Sequence, residues 1–424
     1  MIAAIFALGS LSLVIVWLAI SLLALLLAFF AADCFVGPKR NEIVVQRIEG
    51  DHFSLRALEH LRYRIVNTSN ARARIGLIEE PLPQLRFLQD EITAAVPARS
   101  QLDLERPVVP LLRGALTLGT VYVWFENTIG LVRRRLRVKV AHEVRVYPDL
   151  GLVERYGNLH ARNRLIEAGL RKMRLRGIGT EFESLREWSD GDQFRAINWK
   201  ATARRGKLIV TQHEVERSQN IMLLLDCGRL MTPRIDEQRK FDYAITAALS
   251  AATIAGLAND KVGFVAFANQ ILFASVPRAG KVALAEASQR LYDLEPRFEE
   301  SDYGRAFGYV RAHLHKRSLI VLFTDMFDPV ASATVLSEIG LLARRHLVLC
   351  VLMNDAAIEA ALAKVPGEPL DVYRAGVAAS LAEERRAARA ILARTGVRLI
   401  DVPAAKLTVS LIDAYLDIKQ RALL

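Results

Sequence analysis

The sequence predicts a multidomain protein in which an N-terminal transmembrane helix or helical hairpin precedes a β-sandwich domain and a doubly wound α/β domain. Three observations predict this: an uncharged apolar run over 1–32, short alternating runs over 43–147, and alternating strand and helix patterns from 220 onward. The predicted segments are a membrane anchor at 1–34, the β-sandwich at 39–150, a charged connecting segment at 151–218 and the α/β domain at 219–424.

The first 32 residues contain no Asp, Glu, Lys, Arg, His, Asn or Gln. As one helix they would be about 48 Å long, against a hydrocarbon core of about 30 Å. That length fits one tilted span or, as we favour, a hairpin turning near 9–12 or 17–21. A signal peptide is disfavoured because no basic residue precedes this long run. A lipoprotein anchor is disfavoured because Asp33 precedes Cys34, where a small residue is needed.

Charge predicts the orientation of the anchor. Lys39 and Arg40 follow the apolar run, so the positive-inside rule predicts that the chain beyond them faces the cytoplasm. Three scattered cysteines, Cys34, Cys227 and Cys350, are too few for a disulfide framework, as expected in a reducing compartment.

The basic residues are clustered. Lys and Arg number 57 against 46 Asp and Glu, and the clusters lie at 133–139, 162–176 and 204–207. An anchored protein has an anionic partner close by in the cytoplasmic leaflet of the bilayer, which is the reading we favour. An ordinary solvated surface is the alternative, and nucleic acid is disfavoured because no aromatic-rich basic motif accompanies the clusters.

Hydrophobic patterns predict the two folded domains. Alternating or β-branched runs over 43–147, separated by turn residues, are typical of a β-sandwich. From 220 onward, continuous apolar runs indicate strands buried on both faces of a parallel sheet. The predicted strands are 221–226, 261–267, 319–324, 347–353 and 397–402. The predicted helices are 240–258, 281–293, 303–315, 331–345 and 380–395, the last beginning with a capping box of Ser380 and Glu383.

The segment 177–216 carries the most distinctive pattern. It is similar to the signature of the domain of unknown function 58 family, Gly-x-Gly-x-Glu-Phe, Leu-Arg, Gly-Asp and Arg-x-Ile-Asp-Trp followed by Ser-Ala-Arg. The matching residues are Gly177, Gly179, Glu181, Phe182, Leu185, Arg186, Gly191, Asp192, Arg195, Ile197, Trp199, Ala203 and Arg204. Asn198 stands where Asp is usual, and Thr202 where Ser is usual. Supporting motifs are Arg113-Gly114, Leu118-Gly119, Gly130-Leu131 and Ala414 to Lys419.

The resemblance implies a bacterial inner-membrane protein whose last domain is von Willebrand factor type A-like and which works beside a MoxR-type AAA+ ATPase. Its role would be non-catalytic, as an adaptor or assembly factor. The ATPase would supply the nucleotide chemistry, because no GxxxxGK[ST] loop occurs in this sequence. The alternative function is a divalent-metal-dependent adhesion or ligand-binding module, and a hydrolytic enzyme is a third.

The motif segment allows three interpretations. Between Glu181 and Lys207 lie five acidic and six basic residues, a near balance that suggests internal ion pairs. The segment would then join the two domains, with Phe182, Trp188 and Trp199 as apolar anchors. A docking surface for a partner protein is the second interpretation, since Arg and Trp are favoured in interfaces. An acid/base pair of Glu181 and Asp192 is the third, and it lacks a nucleophile or His.

The von Willebrand A-like resemblance also implies a Mg²⁺ site at the carboxyl ends of the strands. The matching ligand positions are Asp226, Ser301 and Asp325, but the two first-loop serines of the family pattern fall on Gly228 and Leu230. Hard oxygen ligands suit Mg²⁺. The interpretation we favour is that Asp226 and Asp325 cap helices or brace loops at the strand ends, so no cofactor is expected.

Overall fold

A computed structural model describes residues 13–48, 50, 52–127, 129–149, 151, 181–189, 192, 194, 197–214, 218–325, 333–354, 356–421 and 423–424. The chain divides into two compact units, Met1–Tyr147 and Pro148–Leu424. The first unit holds the apolar helix and a mostly β region. The second holds the motif segment and an α/β region.

The apolar run forms one continuous helix, α1, over Leu13–Val36. Its part from Ile15 to Val36 is long and apolar enough to span a membrane. From Leu13 to Ala32 it is about 30 Å long, which matches the hydrocarbon core. Its large apolar side chains face outward, as in Trp17, which is 68% exposed. A turn at 17–21 is wrong, because helix continues through those residues, and the other predicted turn at 9–12 lies outside the described residues.

In the described residues of the first unit, nine strands follow α1. They are β1 Ile43–Ile48, β2 His52–Ser54, β3 Glu59–Asn67, β4 Ala73–Glu79, β5 Leu85–Phe87, β6 Ile92–Val96, β7 Ser100–Pro110, β8 Gly114–Asn127 and β9 Arg133–Tyr147. One sheet has the order β1-β3-β7-β5 and the other β2-β9-β8-β4-β6. Alternate residues of both sheets enter one apolar core, such as Tyr63 and Ile65 of β3 and Ile75 of β4. The predicted mostly β region is confirmed.

The end of α1 is fixed to the β region by polar contacts. Asp33, which is 1% exposed, accepts hydrogen bonds from the backbone N–H groups of Leu131 and Val132 at 2.9 and 2.8 Å. The Arg134 guanidinium donates to the carbonyl oxygens of Cys34 at 2.6 Å and Gly37 at 3.1 Å. Since a charged acceptor strengthens a hydrogen bond, these contacts hold the helix end against the start of β9.

The described part of the second unit contains a two-stranded hairpin, one large sheet and a further short strand pair. The motif segment forms a hairpin of β10 (Glu181–Glu187) and β11 (Ile209–Glu214), with the short helix α2 (Trp199–Arg205) between them. The large sheet has the order β16-β15-β12-β17-β18-β19. Its strands are β12 Asn220–Asp226, β15 Lys261–Phe267, β16 Ile271–Ala279, β17 Leu319–Phe323, β18 Leu347–Asn354 and β19 Arg398–Pro403. A further short pair is β13 Arg234–Ile235 and β14 Gln238–Arg239.

The five predicted strands pair in parallel, and β16 adds an antiparallel edge that the sequence analysis did not predict. β16 is the edge strand on one side of the sheet. An edge strand need not carry the continuous apolar run that marks a strand buried on both faces. The sheet is therefore mixed.

Helices cover both faces of the large sheet. They are α3 Lys240–Leu257, α4 Gly280–Leu291, α5 Tyr303–His313, α6 Ala333–Ala343, α7 Ala356–Ala363, α8 Pro369–Arg394 and α9 Leu407–Gln420. Successive residues of β12 enter different cores: Leu223 packs in one and Leu224 in the other. The predicted start of a helix at Ser380 is wrong, because α8 begins at Pro369 and Ser380 lies in its middle. Proline is well suited to the first turn, where its missing N–H costs nothing.

One close helix contact depends on two glycines. A Cβ atom at Gly280, the first residue of α4, would lie 2.3 Å from the Cα atom of Gly256 in α3. A Cβ at Gly308 in α5 would have open space. The two positions should therefore respond in opposite ways to the same substitution.

We expect Gly280→Ala to lower the free energy of unfolding by about 2 kcal/mol, because the backbones of α3 and α4 must move apart. Gly308→Ala is the matched control and should raise it by about 0.5 kcal/mol, because alanine loses less conformational freedom on folding. Denaturant unfolding of the detergent-solubilised chain measures both. Equal effects of the two substitutions would contradict the close packing.

Candidate functional site

Two of the predicted metal-site residues lie at the carboxyl ends of two neighbouring strands. Asp226 is the last residue of β12, and Asp325 follows β17 by two residues. Because β12 and β17 pair in parallel, these ends lie side by side at one edge of the sheet. An open α/β sheet places its ligands at this edge.

The Asp226 carboxylate, which is 1% exposed, is an acceptor for the surrounding loops. Its Oδ1 accepts from the Gly228 backbone N–H at 2.8 Å and from the Ser301 hydroxyl. Its Oδ2 accepts from Tyr303 at 2.7 Å and from Thr324 at 2.6 Å. Four donors thus surround the two oxygens, and Asp226 braces three loops.

Gly228 makes room for this arrangement. A Cβ atom at residue 228 would lie 2.1 Å from the Ser301 Oγ atom. The serine that the family pattern places here could not coexist with the observed Ser301. The Ser301 hydroxyl therefore takes the space that a side chain at residue 228 would need.

Asp325 belongs to a separate, buried ion network. Its Oδ2 lies 2.5 Å from the Lys240 ammonium, and its Oδ1 lies 3.0 Å from an Arg385 guanidinium nitrogen. Arg385 also contacts Asp401 of β19 at 2.7 Å, and Arg389 reaches the same carboxylate at 3.1 Å. Lys240 is 2% exposed and Asp325 0%, so the charges are removed from water and depend on one another.

Burial and charge shift the pKa values of groups at this edge. Burial opposes the charge on Arg385, but its contacts with Asp401 and Asp325 outweigh that effect and raise its pKa. Burial, together with the nearby Asp226 charge, raises the pKa of Tyr303 well above its usual value. Burial raises the pKa of Cys350 to about 12, helped by Asp325 and Asp401. Tyr303 is thus a neutral donor and Cys350 a neutral thiol at physiological pH.

The residues present do not fit a divalent cation. Ser301 and Asp226 are in contact, but Asp325 is directed at Lys240 and Arg385, whose charges would repel a cation. Within the described part of the chain, no three His, Cys, Asp or Glu side chains converge on one point. No step of a mechanism is therefore assigned to a metal.

The sequence analysis did not predict three members of this network, Lys240, Arg385 and Asp401, and it did not predict Tyr303 beside Asp226. Lys240 carried a signal, since it begins a helix whose next turns are almost entirely apolar. A lysine that starts such a helix lies near the core and needs an anionic partner there. Arg385 lies in a charged, amphipathic run, where nothing distinguishes a buried ion from a solvated one, whereas Asp401 lies in the predicted buried strand 397–402.

The second group of predicted residues, the family motif, contains a half-buried ion pair. Arg186 of β10 and Asp192 form a bidentate pair, with N···O distances of 2.7 and 2.5 Å. The Asp192 hydrogen bond raises the pKa of Arg186. Asp192 also accepts from the Ser189 backbone N–H at 3.0 Å. The pair closes the loop after β10.

Asn198 fixes the start of α2. Its Oδ1 accepts from the Ala201 backbone N–H at 3.0 Å, which is an N-cap, and its Nδ2 contacts Thr211 at 3.2 Å. Gly206 ends the helix with φ of 69°, a left-handed conformation that favours glycine. Asn therefore does the capping at the position where the family pattern has Asp. Arg204 is exposed in the last turn, where its charge complements the helix dipole.

Trp199 follows the cap and is 66% exposed, so the expectation that it is a buried anchor is wrong. Phe194 is 73% exposed and its ring centroid lies 6.2 Å from that of Trp188. Glu181 and Phe182 lie in β10. Gly177, Gly179 and Arg195 lie outside the described residues. Asp192 is held by Arg186, which leaves the acid/base interpretation without support from the geometry.

We expect Lys240→Met to lower the free energy of unfolding by about 3 kcal/mol, because it leaves the buried Asp325 with one cationic partner fewer. Lys261→Met is the matched control at an exposed position in the same unit, and should stay within about 0.5 kcal/mol of wild type. Denaturant unfolding in detergent measures both. A loss equal to that of the control would contradict the ion network.

We expect excess Mg²⁺ to leave the thermal midpoint of the detergent-solubilised chain unchanged, since a cation that binds only the folded state would raise it. Mn²⁺ should behave in the same way. A rise that disappears in Asp226→Ala would show that a metal does bind at this edge.

The chain is similar to known proteins over limited stretches. The chain is 44% identical over 43 residues to the uncharacterized protein YeaD of Bacillus subtilis (strain 168), covering 10% of this chain and 11% of the relative. The chain thus spans about a tenth of the length of this curated relative. A solved structure, the ASH or PapD-like domain 7 of human CEP192, is 8% identical to the chain, with a TM-score of 0.20. The match covers 26% of this chain and 89% of that domain. A similarity this low carries no argument about the fold. The family model described as protein of unknown function DUF58 matches residues 184–396, which is 213 of the 424 residues. The chain belongs to the DUF58 family.

Proposed function

We propose that this chain is a membrane-anchored, non-catalytic adaptor or assembly factor that docks a MoxR-type AAA+ ATPase through its motif hairpin. The observation that carries the proposal is the exposed Trp199, at 66%, on a short helix whose two ends are fixed by Asn198 and Gly206. A large aromatic side chain on a preorganised backbone is typical of an interface hot spot.

The polar contacts of the motif support the same reading. Arg186 and Asp192 form an ion pair with each other. The Thr202 hydroxyl oxygen accepts a hydrogen bond from the Ile209 backbone N–H at 3.0 Å. These contacts hold the hairpin without covering Trp199 or Phe194. The motif thus combines an internally satisfied frame with two exposed aromatic side chains.

We place the anchor in a bacterial inner membrane with both folded units on the cytoplasmic side. The helix α1 has the length of one span, and Lys39 and Arg40 follow it directly. On this proposal the first unit is a β-sandwich and the α/β unit is von Willebrand A-like. Helices on both faces of a mainly parallel sheet, with an antiparallel edge strand, support the second assignment.

The geometry favours binding over chemistry. At the carboxyl edge of the sheet, Asp226 and Asp325 are held by donors, and Tyr303 and Cys350 are kept neutral. General acid/base catalysis needs a group poised to exchange a proton near neutral pH. The metal-dependent adhesion module gains no support, because Lys240 stands against the carboxylate that would be its ligand.

The test is purification of the chain from its own bacterial membranes under several detergents, followed by mass spectrometry. We expect a AAA+ ATPase to be recovered with wild type and reduced about tenfold or more by Trp199→Ala, as for loss of a hot-spot residue. Phe298→Ala, which removes a side chain that is 88% exposed outside the motif, should change nothing and is the matched control.

Two results would contradict the proposal. One is recovery of no AAA+ ATPase with wild type under any of the detergents. The other is equal recovery with Trp199→Ala and Phe298→Ala, which would move the docking surface away from the motif. Thermal unfolding of each variant checks that a loss of binding is not a loss of folding.

A further inference from the structure

We propose that the exposed face of β9, with the apolar residues around the end of α1, binds anionic phospholipid headgroups of the membrane that α1 spans. The inference rests on the proposed membrane anchoring and is independent of the ATPase. It assigns a ligand class to a surface of the first unit.

Four exposed apolar side chains surround the point where α1 ends. Phe35 is 84% exposed and Val36 63%, at the end of the helix, while Ile129 and Leu131, in the turn before β9, are 46% and 48% exposed. The hydrogen bond from the Leu131 N–H to Asp33 brings this turn to the helix. Side chains of this kind at the end of a span lie at the depth of the headgroup and acyl boundary, where apolar groups are favoured.

A basic stripe begins directly beyond these residues. Side chains alternate between the two faces of a strand, so Arg133, Arg135, Arg137 and Lys139 share one face of β9. All four are exposed, and the residues between them are partly buried. Arg133 pairs with Glu126 at 3.1 Å, whereas no described carboxylate forms an ion pair with Arg135, Arg137 or Lys139. The stripe is therefore an excess of positive charge on one surface.

Aromatic side chains of β8 hold two of these arginines against the sheet. The Arg133 guanidinium lies 4.0 Å from the centroid of the Trp124 ring, and that of Arg137 lies 5.8 Å from the centroid of Tyr122. Trp124 itself lies over Gly76 of β4, where a Cβ atom would come within 2.1 Å of the indole. Stacking of this kind reduces the freedom that a guanidinium must lose when it binds a phosphate.

The stripe lies close enough to the membrane to bind it. At about 3.3 Å per residue, Arg135 is about 10 Å along the strand from Val132, which contacts the helix end. That is comparable with the Debye length of about 8 Å at physiological ionic strength. Each such basic residue is expected to strengthen binding to an anionic leaflet about fivefold. Because the strand begins at the anchor, a lipid phosphate is a nearer ligand than a nucleic-acid phosphate.

The test uses the full chain reconstituted into vesicles of phosphatidylcholine alone or of phosphatidylcholine mixed with phosphatidylglycerol. A membrane-impermeant amine-acylating reagent reports the exposure of Lys139, with the exposed Lys281 of the second unit, which lies outside the basic clusters, as internal reference. We expect acylation of Lys139 to be about fivefold or more slower in the anionic vesicles, with Lys281 unchanged. Salt at about 1 M, where the Debye length is about 3 Å, should abolish the difference.

Two double variants distinguish protection of Lys139 by headgroups bound at the stripe from a general effect of the anionic membrane surface. Arg135→Gln with Arg137→Gln should remove the protection of Lys139, because the stripe no longer holds the headgroups. Arg62→Gln with Arg64→Gln removes the same charge from β3, in the other sheet of the unit, and should keep the protection. Protection that persists in the first variant would come from the lower pH near an anionic surface, and would overturn the proposal.

The remaining outcomes are equally decisive. Equal acylation of Lys139 in both kinds of vesicle would overturn the proposal, as would protection by an added oligonucleotide without protection by anionic lipid. Extraction of the chain from vesicles by alkaline carbonate would overturn the anchor itself, and with it this inference. Retention after the alkaline wash, together with unprotected Lys139, would refute the headgroup site and leave the anchored adaptor standing.

Discussion

The α/β unit depends on a buried network of ion pairs between four side chains from four parts of the chain. Lys240 begins α3, Asp325 follows β17, Arg385 lies in α8 and Asp401 lies in β19. None of these ions could remain charged alone in the interior, because the cost of removing a single ion from water is several kcal/mol. Each is stable only when the others are in place, so two helices and two strands assume their positions together.

The same network explains the character of the sheet edge. In a metal-dependent module, the positive charge at this edge is brought by an ion from solution and is exposed to partners. Here it belongs to the chain, lies on Lys240 and Arg385, and is already matched by Asp325 and Asp401. Gly228 is a second difference from a metal-dependent module, because its missing side chain leaves room for the Ser301 hydroxyl beside Asp226. The edge is therefore closed by internal contacts, and the exposed features lie on the motif hairpin and on β9.

Sequence reasoning succeeded where the signal was a repeated pattern. The parallel strands were predicted from continuous apolar runs, the apolar helix from the absence of charge, and the motif from a long run of specific residues. It failed where the outcome depended on tertiary context. The helix α8 was predicted from Ser380 because Ser with Glu383 imitates a capping box, whereas the helix begins at Pro369.

The site shows the same division. Asp226, Ser301 and Asp325 were predicted as one group, and the positions of the two aspartates at the strand ends follow from the parallel topology. The direction in which Asp325 points does not follow from the topology, since it depends on a lysine 85 residues away along the chain. Exposure of Trp199 was also unpredictable, because a tryptophan among charged residues can equally be an anchor or a contact for a partner.

The joint between α1 and the β region has a mechanical consequence. Asp33 accepts hydrogen bonds from the turn before β9, and Arg134 of β9 donates to the end of the helix, so α1 and the β region are joined directly within one unit. A rotation or tilt of the β region is therefore transmitted to α1. Any force that a partner applies to the β region acts on the apolar helix as well.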